Sequence, residues 1–168
     1  MSAFIRALLI IQKSGFLPVS TRVMLLKMAG IKIGKNAWIR PDISIIKTNI
    51  HMGDHCGINE GVLLDSNGCI TIGDYSRIGP RSVIITATHE MEHSIPRRNG
   101  AKTTPLVVKP VVIERGCWVQ SSVTINPGVT IKEGCVIGVG AVVTRSTEPN
   151  GFYGGVPAKR LRDLPTSG

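Results

Sequence analysis

Four histidines are the residues of this 168-residue chain best placed to move a proton near neutral pH: His51, His55, His89 and His93. Neutral imidazole, with an ordinary pKa of about 6.5, accepts a proton at physiological pH and is also a common metal ligand. His51/His55 and His89/His93 are each four residues apart, the spacing that sets two imidazoles on one face of a helix. Neither stretch has a helical pattern, so no metal site is expected. Cys56, Cys69, Cys117 and Cys135 form no C-x-x-C pair. No segment reads as a secretory signal, and the four are expected as reduced thiols in the cytoplasm. The formal net charge of +9 suits phosphates, acidic glycans or an anionic membrane surface. Nucleic acid is disfavoured, because no basic stripe interleaves with aromatics.

The elements that position these groups follow from a repeat. Aliphatic residues recur every six positions: Ile33, Ile39, Ile45; then Met52, Ile58, Leu64; then Ile72, Ile78, Ile84; then Ile113, Val119, Ile125, Ile131, Ile137 and Val143. Four residues after most of them stands a small or β-branched residue: Ala37, Ile43, Cys56, Val62, Ser76, Ser82, Thr88, Cys117, Val123, Val129, Cys135 and Ala141. A helix needs a period of about 3.6 and a strand a period of about 2, and six fits neither. It fits a triangular solenoid in which each hexapeptide is a short strand and a turn, so that three make one coil of about 18 residues. The aliphatic points inward and the small residue packs beside it, which makes Cys56, Cys117 and Cys135 core residues rather than nucleophiles or ligands. Slips after Ile45 and after Leu64 are read as corner insertions. Gly34, Gly53, Gly73, Gly79 and Gly138 fall at corners, where positive φ is expected. The 4% aromatic content suits a core of small stacked layers.

Three segments stand outside the period. Residues 1–30 hold two helical stretches, Phe4–Lys13 and Thr21–Met28, the second beginning after Ser20. They are read as a cap on the open end of residues 31–148; peripheral membrane contact through Arg6, Lys13, Arg22 and Lys27 is the alternative. Glu90–Lys109, with Pro96, Arg97, Arg98, Asn99 and Gly100, is read as a loop thrown out of the stack at 90–109, a natural place for function. Residues 149–168 leave the solenoid as a Gly- and Pro-rich loop and a basic tail.

The blocks Ile72-Gly73-Asp74-Tyr75-Ser76-Arg77-Ile78-Gly79-Pro80 leading to Thr86-Ala87-Thr88-His89, Lys109-Pro110-Val111-Val112-Ile113 with Cys117-Trp118-Val119, Ile125-Asn126-Pro127-Gly128-Val129-Thr130-Ile131, Val142-Val143-Thr144-Arg145 and Gly155-Val156-Pro157-Ala158-Lys159 carry a resemblance. Over roughly residues 31–162 the chain resembles the hexapeptide-repeat acetyltransferases, most closely their sugar and polysaccharide O-acetyltransferase branch. The resemblance implies a left-handed parallel β-helix, a homotrimer with active sites between subunits, and acetyl-CoA lying along the helix. It implies His89 as general base, Asn59 and Trp118 at the acceptor, and Ser121, Val139, Thr144, Arg145, Lys159 and Arg162 at CoA. Glu90, Glu92, Glu60 and Asp65 are the candidates for the acid that orients His89. Gln120, Val139 and Lys132 depart from the family pattern, and Gln120 in particular bears on the thioester channel.

The function expected is acetyl transfer from acetyl-CoA to a sugar hydroxyl in polysaccharide, O-antigen or capsule biosynthesis. Acetylation of an amino sugar or a xenobiotic alcohol, a zinc enzyme of the γ-carbonic-anhydrase kind and a non-catalytic scaffold are the alternatives.

Overall fold

The computed structural model describes residues 1–90 and 105–166. Two helices, α1 (Ala3–Ile11) and α2 (Val19–Met28), precede a parallel β-helix of about 5 turns. The first coil runs through β1 (Lys32–Ile33), β2 (Trp38–Ile39) and β3 (Ser44–Ile45). The second has β4 (Ile50–Met52), β5 (Gly57–Ile58) and β6 (Leu63–Asp65). The third has β7 (Ile70–Ile72), β8 (Arg77–Ile78) and β9 (Val83–Ile85). A hairpin then leaves the stack as β10 (Ala87–His89) and returns as β11 (Leu106–Val108). The fourth coil is β12 (Val111–Ile113), β13 (Trp118–Val119) and β14 (Thr124–Ile125); the fifth is β15 (Thr130–Ile131), β16 (Val136–Ile137) and β17 (Val142–Val143). The chain closes with β18 (Gly151–Gly154) and β19 (Lys159–Asp163).

Each coil gives one strand to each of three sheets, the faces of a prism. The first face is β1-β4-β7-β12-β15, the second β2-β5-β8-β13-β16 extended by β18 and β19, and the third β3-β6-β9-β14-β17. The period-six aliphatics are the inward residues and stack in three ladders. Ile33, Met52, Ile72, Ile113 and Ile131 are in register on the first face. Ile39, Ile58, Ile78, Val119, Ile137 and Tyr153 line the second. Ile45, Leu64, Ile84, Ile125 and Val143 line the third. Parallel pairing satisfies backbone groups between coils while one apolar column is buried along the axis.

Most of the small-residue slots sit at two of the prism's edges, Val129 lying at the third, and the serines among them are wired to the next coil. Ser76 Oγ donates to the Glu114 carbonyl at 2.8 Å and accepts from the Cys117 N–H at 3.0 Å; Ser82 Oγ donates to the Gln120 carbonyl at 3.0 Å and accepts from the Val123 N–H at 3.3 Å. Both bridges join the third coil to the fourth, where the excursion interrupts the chain. Cys56, Cys117 and Cys135 fill equivalent slots, and their thiols lie 3.1–3.2 Å from the carbonyls of Gly73, Lys132 and Glu148. Thr88 has left this series: it lies in the hairpin, and Thr86 and Ser66 are buried at the edge between the third and first faces, as Val129 is one coil further on.

Corner chemistry differs from the expectation. Positive φ falls on Asn36, His55, Tyr75, Gly116 and Gly134 at one edge, not on Gly34, Gly53 or Gly73 two residues earlier. Those glycines are required by close approach instead: a Cβ on Gly73 would stand 2.6 Å from the Arg115 backbone nitrogen.

α1 is capped by Ser2, whose Oγ accepts from the Ile5 N–H at 3.3 Å. α2 starts at Val19 behind Pro18, so Ser20 lies inside the helix and is not its cap. The proline ring holds φ near helical values and its carbonyl accepts the Arg22 N–H at 3.1 Å, closing the first turn. Leu26 is buried against Ile31, Ile39, Ile43 and Ile50, covering the open end of the column. Arg22, named only for the alternative of membrane contact, is 1% exposed. Its guanidinium donates to the carbonyls of Gln12, Ile39, Ser14 and Leu17 at 2.7–3.1 Å, and burial, with Arg40 adding repulsion, lowers its pKa. Lys13 Nζ donates to Ser44 Oγ at 2.8 Å. Among the described residues no helix is long and apolar enough to cross a membrane.

Candidate active site

His89 stands at the outer end of β10, exposed, opposite Leu106 of β11. The excursion therefore opens as a paired hairpin at Ala87, three residues before the loop expected at Glu90, and residues 91–104 lie outside the described residues. Its stem is pinned to the edge between the third and first faces. Thr86 Oγ1 donates to the Asp65 carbonyl at 2.5 Å and accepts from the Gly68 N–H at 2.7 Å, and the Lys109 N–H donates to the Thr86 carbonyl at 2.8 Å. Gly68 gives the hairpin room: a Cβ there would meet Val108 Cγ1 at 2.9 Å. Past His89 the Glu90 N–H reaches the Pro105 carbonyl at 3.3 Å. A rigid prism thus presents one imidazole on a braced two-stranded arm.

The other expected residues divide between edges. Asn59 ends β5 at the edge between the second and third faces, where its backbone N–H and its Nδ2 both donate to the Ile78 carbonyl at 3.0 Å. Ser121 and Val139 lie on that same edge in the fourth and fifth coils, tied by the Gly140 N–H to the Ser121 carbonyl at 3.0 Å. Gln120 Oε1 accepts the Val139 N–H at 3.1 Å, so its side chain lies along the edge. Thr144 and Arg145 follow β17 and are exposed at the edge between the third and first faces, from which the His89 arm leaves. Lys159 opens β19 just beyond Ala158, whose N–H donates to the Val142 carbonyl at 2.8 Å. Arg162 places Cζ 5.5 Å from the centroid of Phe152 on the second face.

Asn59 and Trp118 share a groove of about 440 Å³ on the second face, lined also by Trp38, Tyr75, Arg77, Gly116 and Cys117. His89 does not line it. One chain therefore brings together Asn59 with Trp118, and Ser121 with Val139, but leaves His89 on a different edge. Of the candidate acids, Glu90 neighbours His89, Asp65 accepts from the Asn67 amide at 2.5 Å below the stem, Glu60 shares the Asn59 edge, and Glu92 lies outside the described residues.

Trp38, Tyr75 and Arg77 are groove residues that the sequence reading did not single out. A signal was present: Trp38 and Trp118 each directly precede an inward aliphatic, Ile39 and Val119, the position that faces solvent on a period-six strand. Cys56, Cys117 and Cys135 are buried, as expected of core residues. Burial pushes Cys56 up and drives Cys117 up to about 12. Among the described residues no group of three or more His, Cys, Asp or Glu is placed to hold a metal. Lys132, an odd residue for its corner, pairs with Glu114 at 2.9 Å.

A prism of five period-six coils behind two short helices defines a fold class, the parallel β-helix. Residues 110–145 match the family model described as bacterial transferase hexapeptide (six repeats). The chain is 33% identical to the galactoside O-acetyltransferase of Escherichia coli K12 over 87% of its own length and 70% of that protein's. It is 34% identical to WcaF of the same organism, named as a colanic acid biosynthesis acetyltransferase, over 84% of this chain and 74% of that one. A crystal structure of a hexapeptide-repeat acetyltransferase of Vibrio cholerae, complexed with acetyl coenzyme A, superposes with a TM-score of 0.86 at 31% identity, covering 97% of this chain and 86% of that one. The chain belongs to the hexapeptide-repeat acetyltransferases, in their sugar O-acetyltransferase branch, and is an enzyme of that family.

Proposed function

We propose that the protein is a cytoplasmic homotrimer that transfers the acetyl group of acetyl-CoA to a sugar hydroxyl during polysaccharide synthesis, with His89 as general base. One observation supports this reading: six of the expected site residues sit on two edges of the prism, His89 with Thr144 and Arg145 on one, Asn59 with Ser121 and Val139 on the other. Two such edges meet when a second copy packs alongside, and threefold closure makes three identical seams.

In each seam the acceptor hydroxyl lies against Asn59 and Trp118 of one subunit, and the His89 imidazole comes from its neighbour. The imidazole takes the hydroxyl proton as the oxygen attacks the thioester carbon. The C–S bond then breaks, and the imidazolium returns its proton to the departing CoA thiolate. Holding both reactants in one cleft supplies the proximity that a bimolecular reaction in water lacks. Backbone N–H groups at the seam receive the oxyanion; the Val139 N–H is already committed to Gln120. Ser121 and Val139 line the pantetheine path, while Thr144, Arg145, Lys159 and Arg162 serve the phosphates and adenine end of CoA, where cationic donors make the stronger hydrogen bonds. No metal takes part in this scheme.

The test is acetyl-CoA consumption measured against panels of monosaccharides, nucleotide sugars and oligosaccharides. Acceptor-dependent release of CoA in at least one sugar panel is the expected result. Release that depends only on amines, or none with any panel from a preparation that binds acetyl-CoA, would contradict the proposal.

A further inference from the structure

The second face carries a feature that acetyl transfer as such does not require. At the edge where the first face turns into the second, the left-handed corner position is filled in successive coils by Asn36, His55, Tyr75, Gly116 and Gly134. Asn and Gly occupy that conformation readily, whereas a bulky ring does so at a cost. Histidine is among the residues that tolerate it, so Tyr75 (φ 62) bears the cost beside His55 (φ 58) of the preceding coil, and their rings lie 4.8 Å apart with an angle of 2° between planes.

The stack stops at Tyr75. In the next coil Gly116 leaves open space, for a Cβ there would find nothing within 4 Å. That space belongs to the groove holding Asn59 and Trp118. Tyr75 is 57% exposed and Trp118 52% exposed. Trp38 packs on Gly57, where a Cβ would stand 2.1 Å from the indole, and Arg40 Cζ lies 5.8 Å from its centroid. Both tryptophans of the chain and one of its two tyrosines therefore line a single groove. Between Trp38 and Trp118 on the same face stands Arg77, exposed and without an ion pair among the described residues.

Aromatic faces accept the apolar face of a ring and the edge of a sugar; an unpaired guanidinium beside them accepts carboxylate or phosphate in bidentate fashion. We propose that this groove is the acceptor subsite for an anionic sugar, whose ring extends the His55–Tyr75 stack above Gly116 against Trp118 and whose acidic group meets Arg77. The inference rests on the reading of the protein as a sugar acetyltransferase and names the acceptor's class.

Binding to the intact protein, measured without acetyl-CoA by saturation-transfer NMR titration, separates the two. The probes are methyl β-glucuronide and glucose 1-phosphate, which place the charge as carboxylate or phosphate, and neutral methyl β-glucoside. At least one anionic probe binds roughly tenfold tighter than the neutral one, a difference of about 1.4 kcal/mol. Arg77→Gln removes that preference, and the probe that loses most identifies the acidic group. Tyr75→Gly, which relieves the corner and keeps the fold, weakens binding of all three. Equal affinity for the three probes, no binding of any, or variants that bind as the native protein does would overturn the proposal. So would dissociation of the oligomer by Arg77→Gln in sedimentation, which would make the groove a subunit contact. A protein that binds anionic sugars yet transfers acetyl to none would keep this subsite and remove the function proposed above.

Discussion

Ser76 shows what a single buried hydroxyl does in a solenoid. It takes the Cys117 N–H and gives its own proton to Glu114 C=O across the joint between the third and fourth coils, where chain continuity is lost to the excursion. Ser76→Ala leaves that N–H buried and unpaired, a loss of roughly 1–3 kcal/mol. A corresponding drop in thermal midpoint is expected, and an unchanged midpoint would show that the bridge is replaceable. Cys117 illustrates the opposite. Its slot was readable as core from the six-residue period alone, and a thiol raised to about 12 by burial is no nucleophile at neutral pH. His89 was readable only through its motif, because its neighbours in space follow from a hairpin that the period does not describe. Its role as base stays with the proposal above.

At the scale of elements, the inward ladders were legible because each aliphatic fell on one of three faces in strict register. The corners were less legible. Gly73 looks like a residue chosen for positive φ, yet the neighbouring backbone excludes a side chain there, and the left-handed residue is Tyr75. Close approach between coils depends on stacking, which a pattern within one coil does not report. The excursion's boundary moved for a similar reason: Ala87–His89 pair with Leu106–Val108 across residues far apart in sequence. α2 departs from the alternative of membrane contact, for which Arg22 was one of the named cations. Its guanidinium instead gathers carbonyls from α1's end, the following turn and the first coil. Arg22→Ala uncovers those carbonyls in a buried setting and costs roughly 3 kcal/mol or more. Urea unfolding measures it; a loss below about 1 kcal/mol would mean water replaces the guanidinium freely.

For the whole molecule, the prism separates the candidate site residues by edge. One edge bears the arm with His89, another bears Asn59, Ser121 and Val139, and the second face, which ends at the Asn59 edge, holds the aromatic groove. No single-chain reading of the motifs could reveal that separation, since they follow one another in sequence as though they formed one site. The division makes assembly part of catalysis in the mechanism proposed here. Coexpressing His89→Ala with Asn59→Ala chains tests it most directly. Each variant alone is expected to lose acetyl transfer by roughly a hundredfold or more while still binding acetyl-CoA. Mixed trimers restore activity, to roughly a quarter of native at equal proportions, because some seams then pair an intact His89 with an intact Asn59. Mixed assemblies as inactive as their parents would place the whole site within one chain, and full activity of the His89→Ala protein alone would remove the imidazole from the chemistry.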